Sequence, residues 1–124
     1  MTRDDLSAWV GAYELAWRTS GTASLADLFA EDATYSPAPF QETHRGLAAI
    51  GAMWEREREG PHEGFTLEWE LVAVEGDTGV VRADVRYAAP AQRWADLWLI
   101  RFDEHGRCVA FEEWPFAPPR ADST

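Results

Sequence analysis

The sequence predicts an α+β domain, with helices in its first half and a curved antiparallel or mixed sheet in its second half. Apolar residues recur at helical spacing before residue 60, whereas after residue 64 they alternate with polar residues at the period of two that is typical of strands. A chain of 124 residues is the size of one domain with a core and one modest cavity. Because the helices must bury aromatic faces, we expect the sheet to curl around them.

Three helices are predicted in the first half, over residues 2–20, 24–30 and 47–59. Thr2 and Asp5 form a capping-box pattern at the start of the first helix, and Ser24 and Asp27 repeat that spacing at the second. A brief strand at 33–36 separates the second helix from two prolines, which cannot continue a strand.

Four strands are predicted in the second half, over residues 65–75, 80–88, 93–102 and 108–114. They are rich in β-branched and aromatic residues and are divided by EGDTG, APAQ and DEHG, which are turns of hairpin length. Short turns connect antiparallel neighbours, so these strands are expected to form a meander.

The composition restricts the partners and the location of the protein. The chain carries 22 acidic and 11 basic residues, a formal net charge of −11. This charge repels phosphate backbones and anionic lipids, so we expect neither nucleic acid nor a membrane as a partner. Cys108 is the one cysteine, so no internal disulfide forms. The N-terminal MTRDDLSAWVG has acidic residues where a signal peptide would be basic, and we expect a cytoplasmic location.

Three segments resemble motifs of the nuclear transport factor 2-like superfamily, in its SnoaL-like branch: LADLFAEDATY at 25–35, RGLAAI at 45–50 and RFDEHGRCVAFEEW at 101–114. The resemblance covers nearly the whole chain and implies a cystatin-like, cone-shaped barrel around about three helices, with one apolar pocket at its open end. It also implies a single domain at 1–117 with a frayed tail at 118–124, commonly in a homodimer. This scaffold hosts isomerases, cyclases, dehydratases, epoxide hydrolases and ligand binders, so it does not define a reaction.

The strand GVVRADVRY, residues 79–87, decides which charges enter the expected pocket. Alternation alone predicts that the side chains of Arg82, Asp84 and Arg86 face solvent, whereas the resemblance implies that they lie on the concave side of the sheet, facing the helices. Continuing that register across the sheet, we expect the pocket to contain aromatic walls and two further carboxyls: Tyr13, Trp17, Tyr35, Phe40, Trp54, Trp94, Asp96, Trp98, Phe111 and Glu113.

Two reactions of the superfamily lack their residues in this chain. Ketosteroid-isomerase-like members use an Asp just before the proline that follows the first strand, and TYSPAPF at 34–40 has no carboxylate there. Scytalone-dehydratase-like members use a histidine in the cavity. The three histidines of this chain fall in predicted loops, and we expect them at the surface: His44, His62 and His105.

The limonene-epoxide-hydrolase-like branch is more similar. Its R-x-D motif matches Arg82 and Asp84, its late-strand carboxylate matches Glu113, and its tyrosine at the end of the first strand matches Tyr35. The resemblance implies that Asp84 protonates an epoxide oxygen while Glu113 takes a proton from a water held by Tyr35, with Arg82 bridging the carboxylates. Two departures exist: Pro37 stands where that branch has an Asn, and the base is Glu rather than Asp.

Two alternatives to an enzyme remain open. In the first, the charges form an ion-pair network that fixes strand register, beside a pocket that only binds a ligand: Arg82, Asp84, Arg86, Asp96 and Glu113. In the second, the chain is a partner-binding module whose outer sheet face needs a cover, and a homodimer through the sheet is the simplest one. The apolar residues expected on that face are Leu97, Leu99, Val85 and Tyr87. The expected ligand is a small cyclic hydrophobic compound, terpenoid or polyketide-like, and no pattern identifies a cofactor or a metal.

Overall fold

The computed structural model describes residues 1–57, 64–88 and 91–119, and it confirms the α+β class. The elements are, in chain order, α1 (Arg3–Arg18), α2 (Leu25–Leu28), β1 (Phe29–Ser36), β2 (His44–Arg45), α3 (Leu47–Glu57), β3 (Phe65–Glu75), β4 (Thr78–Ala88), β5 (Ala91–Phe102) and β6 (Cys108–Phe116). The sequence missed β2 and made β1 too short. The predicted end of the third helix at Glu59, His62 and most of the predicted tail lie outside the described residues. No helix in the described ranges has the length and apolar character needed to cross a membrane.

Helix α1 begins with the predicted capping box. The Thr2 hydroxyl accepts from the backbone N–H of Asp5 at 3.1 Å, and the Asp5 carboxylate accepts from the backbone N–H of Thr2 at 2.9 Å. The helix then buries a stripe of apolar side chains against the sheet: Leu6, Trp9, Val10, Tyr13 and Ala16.

The six strands form one mixed sheet in the order β2-β1-β6-β5-β4-β3, with β2 and β3 at its two edges. Strands β3 to β6 make the predicted antiparallel meander, and β1 adds to β6 in parallel. The β3–β4 turn contains Gly76 at φ +59°, in the left-handed region that favours glycine. The parallel β1–β6 pair brings residues from the first and last strands together.

The core lies on the concave face of the sheet, beneath α1. The Trp9 ring packs edge-on against Phe29 and Phe102, with ring centres 5.7 and 5.5 Å apart. Its indole N–H donates to the carbonyl of Leu28 at 3.0 Å, which ties α1 to α2. The side chain of Leu6 lies directly over Gly79 of β4, where a Cβ atom would come within 2.7 Å of the leucine.

The register of β4 corrects one expectation from the sequence. Ala83 lies opposite Asp96 of β5, and Val81 lies opposite Trp98, so the alanine and the valine share the concave face with the β5 row. Arg82 and Asp84 therefore point to the convex face, because neighbours along a strand point to opposite sides. The expectation that the charged row of β4 enters the pocket was wrong, whereas the alternation pattern alone had placed it correctly.

The charged row makes ion pairs on the convex face, and that is the physical reason for its orientation. Arg82 donates to Glu70 of β3 at 2.6 Å, and its side chain remains 64% exposed. Asp84 accepts from Arg93 at 3.0 Å and from Arg86 at 3.4 Å. An unpaired arginine inside the apolar cone would lose its hydration without compensation, whereas outside it keeps water and partners.

Candidate functional site

A pocket of about 450 Å³ lies between the C-terminal halves of α1 and α3 and the concave face of the sheet. Its walls are largely aromatic: Tyr13, Trp17, Tyr35, Phe65, Tyr87, Trp94 and Trp98. The other lining residues include two inner carboxyls, Asp96 and Glu113. They also include polar residues that are exposed or partly buried: Glu14, Gln41, Glu42, His44, Arg56 and Glu57. The size and the aromatic walls are those of a site for a small organic molecule.

Asp96 and Glu113 are brought together by the pairing of β5 with β6. Glu113 lies opposite Trp98, two residues along β5 from Asp96, so the two carboxyls are diagonal neighbours on the pocket face. Their side chains lie close enough to change each other's pKa. Asp96 is only 5% exposed, and Glu113 is partly buried. The sequence named both residues as pocket residues but did not pair them.

The two carboxyls of this pair hold protons more tightly than free carboxyls do. Loss of water raises the pKa of Glu113 well above its ordinary value of 4.5, and its contact and repulsion with Asp96 raise that pKa further. The pKa of Asp96 is also raised by loss of water, an effect that its contact with Glu113 opposes. Two carboxyls this close titrate as a unit.

The pair has an unfilled hydrogen-bonding position. Asp96 Oδ1 is buried and has no hydrogen-bond partner among the described residues. The indole N–H of Trp98 makes no hydrogen bond of standard geometry to any described residue, yet it lies close enough to both carboxyls to lower their pKa values. Both atoms are buried beneath the pocket surface, so they are not directly open to a ligand, and their missing hydrogen bonds mark the carboxyl pair as a tightly packed polar cluster.

Two tyrosines form a second polar pair in the same pocket. The hydroxyls of Tyr13 and Tyr35 are 2.7 Å apart, and both side chains are buried. Phe111 stacks against both rings, with ring centres 5.2 and 4.7 Å away. Loss of water raises the pKa of each tyrosine well above its ordinary value of 10, so both stay protonated at neutral pH. Only one of the two hydroxyl hydrogens fills the bond between them, which leaves the other for an acceptor on a ligand.

The rim of the pocket is fixed by Arg18 at the end of α1. Its guanidinium lies 3.9 Å from the ring centre of Phe65 and donates to the carbonyl oxygen of that residue at 3.2 Å. It also forms an ion pair with Glu14 at 2.9 Å, which neutralises one of the rim carboxylates. This contact attaches α1 to the edge strand β3 beside the opening.

The structure separates the predicted site residues into three groups. Those that line the pocket are Tyr13, Trp17, Tyr35, Trp94, Asp96, Trp98 and Glu113. Trp54 and Phe111 belong to the core instead, packed on Tyr13 from two sides. Phe40 is fully exposed and does not line the pocket, and the predicted charges of β4 lie on the opposite face of the sheet: Arg82, Asp84 and Arg86.

Three residues that line the pocket were assigned to other places by the sequence reasoning. Val85 and Tyr87 were expected on the outer face, but they line the pocket because they share the register of Ala83. Placing the apolar side of the alternation inward would have found them. His44 was expected at the surface, but it is partly buried in β2 and lines the pocket, a placement that depends on the long-range pairing of His44 with Tyr35. His105 is exposed, as expected.

The described residues offer no place for a metal ion: within them, no three His, Cys, Asp or Glu side chains are grouped closely enough to hold one. The polar groups that line the pocket include carboxyls, phenols, indole N–H groups and the imidazole of His44.

The fold and the pocket define a class of protein: an α+β domain whose curved sheet and helices enclose a pocket for a small molecule. The sequence model of the SnoaL-like domain matches residues 10–111, and the chain belongs to this family. The predicted family and cystatin-like fold are thereby confirmed. No curated protein matches the chain significantly.

Solved structures share the fold at low sequence identity. The chain is similar to an NTF-2 like protein of unknown function from Burkholderia xenovorans LB400, with a TM-score of 0.73, 16% identity and coverage of 97% of this chain and 89% of that one. It is also similar to a protein with a cystatin-like fold from Silicibacter pomeroyi (TM-score 0.65, 16% identity, coverage 87% and 73%). A steroid delta-isomerase from Pseudomonas aeruginosa is a third such structure (TM-score 0.63, 18% identity, coverage 90% and 80%). At these identities the similarity defines the fold alone.

Proposed function

We propose that this domain binds a small, cyclic, largely apolar molecule and moves a proton on it, with Asp96 as the base and Glu113 as the acid. The observation that carries this proposal is the position of Asp96 and Glu113 as neighbours across β5 and β6 in an aromatic pocket. Environments that push the pKa values of two neighbouring groups apart are typical of acid–base sites. This pair replaces the earlier expectation that Asp84 supplies the acid.

The first candidate reaction is isomerisation of an unsaturated cyclic ketone. The carboxylate of Asp96, which lines the pocket, accepts a proton from the carbon beside the carbonyl. The free hydrogen of the Tyr13–Tyr35 pair is donated to the ketone oxygen, where negative charge develops in the enolate. The proton is then returned to the far carbon of the enolate, so no proton is gained or lost overall.

A second candidate, epoxide hydrolysis, is favoured by the presence of an acid and a base in one pair. Glu113 would protonate the epoxide oxygen while Asp96 takes a proton from the attacking water, so the ring opens without a covalent intermediate. Pro37 lines the pocket and offers no side-chain hydrogen bond to hold that water, so we rank this reaction second.

Two assays test the catalytic proposal and separate its candidates. A cyclic β,γ-unsaturated ketone is followed by the ultraviolet absorbance of its conjugated product, and 1-methylcyclohexene oxide is followed by diol formation. We expect Asp96→Asn to abolish turnover while substrate binding persists, because the lost interaction is made in the transition state. Glu112→Gln is the matched control, since Glu112 accepts a hydrogen bond from Trp114 at 2.9 Å and points away from Glu113. Binding without turnover of either compound would reduce the protein to a ligand binder.

We also propose that two copies pair through the convex sheet face. Leu97 and Leu99 lie on this face opposite Arg82 and Val80, and Trp114 and Phe116 are 37% and 61% exposed. Apolar residues of this kind are usually covered in solution. Sedimentation at several concentrations should give a dimer, and a monomer at every concentration would contradict this proposal.

A further inference from the structure

The inner end of the pocket has negative charge without a positive side chain to balance it. Apart from Arg56 and His44, no basic residue in the described ranges lines the pocket, and Arg56 is an exposed residue near the end of α3. Neither residue is among the groups that perturb the pKa of Asp96 or Glu113. All eleven basic residues of the chain are arginines, and the two that pair with Asp84 do so on the opposite face of the sheet.

The carboxyl pair supplies negative charge to the pocket. Asp96 and Glu113 are diagonal neighbours on the pocket face, so a single proton held between them still leaves one negative charge on the pair. A largely buried carboxylate is costly without a partner, and a charged donor satisfies it better than a neutral one.

The pocket walls suit the same kind of ligand. Seven aromatic side chains among the described residues line the pocket, including Trp94 and Trp98, which lie two residues on either side of Asp96 on β5. The faces of such rings attract cations, most strongly when water is excluded. The net charge of −11 also favours the approach of cations over anions.

From these observations we propose that the pocket is selective for a hydrophobic amine, bound as its ammonium ion with the charged nitrogen beside the Asp96–Glu113 pair and the apolar body against the aromatic walls. The inference goes beyond the proposed function, because it concerns which ligand the same pocket binds and depends on no proton transfer. It assigns the ammonium group, rather than a neutral oxygen, to the position beside the pair. Carboxylates and phosphates are excluded by the same charge.

The test uses three rigid probes with one apolar body: 1-adamantylamine, 1-adamantanol and 1-adamantanecarboxylate, titrated by calorimetry at pH 7.5. The amine is protonated at this pH. We expect it to bind about tenfold or more tightly than the alcohol, which is the difference expected between charged and neutral hydrogen bonds, and we expect the carboxylate not to bind. An alcohol that binds as tightly as the amine, or an amine that fails to bind, overturns the inference.

Asp96→Asn locates the charge. This substitution keeps the shape of the side chain, and we expect it to weaken amine binding about tenfold or more while alcohol binding changes less than about threefold. Glu112→Gln removes one negative charge from the adjacent convex face and should leave both affinities unchanged. If Asp96→Asn does not fold, the comparison of the three probes on the natural protein decides alone. Selective amine binding without turnover of ketone or epoxide would refute the catalytic proposal and leave this inference standing.

Discussion

The carboxyl pair should give the stability of this protein an unusual dependence on pH, which Glu113→Gln removes. The pKa of Glu113 is raised in the folded state by loss of water and by Asp96, and no such environment exists in the unfolded chain. A group whose folded pKa is raised contributes stability at low pH that is lost as the pH rises through the folded pKa. The relevant window therefore begins near pH 4.5, the ordinary value for this side chain, and extends upward to the folded pKa.

The magnitude follows from counting protons. Within the window the folded protein keeps one proton on the pair that the unfolded chain has released. The free energy of unfolding then falls by about 1.4 kcal/mol per pH unit for that proton. In Glu113→Gln only Asp96 can still hold a proton at this site, so the curve of this variant should lose most of this contribution. Gln can still donate a hydrogen bond to Asp96, which preserves the folded arrangement.

Urea unfolding followed by tryptophan fluorescence, at half-unit steps from pH 4.5 to 8, measures both curves. Asp5, Asp84 and Asp103 have lowered pKa values, each mainly because of the hydrogen bonds that it accepts, and they contribute stability that is lost only as the pH falls. Their contributions cancel in the difference between natural protein and variant. Equal slopes for the natural protein and Glu113→Gln would refute the shared proton, and with it the acid–base proposal.

Three further predictions concern the core and the sheet. Tyr35→Phe keeps the ring stacked on the core but leaves the phenol of Tyr13 without a hydrogen bond. The free energy of unfolding, measured in urea, should therefore fall by about 1–3 kcal/mol, and an unchanged value would mean that the 2.7 Å contact is not a hydrogen bond. Gly79→Ala places a methyl group 2.7 Å from Leu6 and should lower the free energy of unfolding by about 1–3 kcal/mol. Gly51→Ala in α3 meets only ordinary contacts and should raise it by about 0.5–1 kcal/mol, and urea unfolding compares the two variants. Arg82→Ala breaks an exposed ion pair on the convex face, so it should lower the free energy of unfolding by at most about 1 kcal/mol and leave ligand affinity and turnover unchanged. A loss of turnover would mean that Arg82 belongs to the active site.

The sequence alone determined most of the helices and strands, without β2 and the first half of β1, and part of the site. Local signals were sufficient where one segment decides its own structure: the capping box of Thr2 and Asp5 begins α1 as predicted, and β3 has its predicted bounds of Phe65–Glu75. Trp94, Asp96 and Trp98 of β5 were assigned to the pocket through the family resemblance, and all three line it.

Only the tertiary structure decided which face of β4 turns toward the helices and which carboxyls meet. Alternation divides a strand into two faces, but its position against β5 is set by contacts far apart in sequence, and a shift of one residue exchanges the faces. The observed register puts Ala83 beside Asp96 and leaves Asp84 outside, where it binds Arg93 in contact with water. The pairing of Asp96 with Glu113 likewise depends on the alignment of two strands, and a local pattern does not contain that information because a side chain finds its partners only after the sheet has formed.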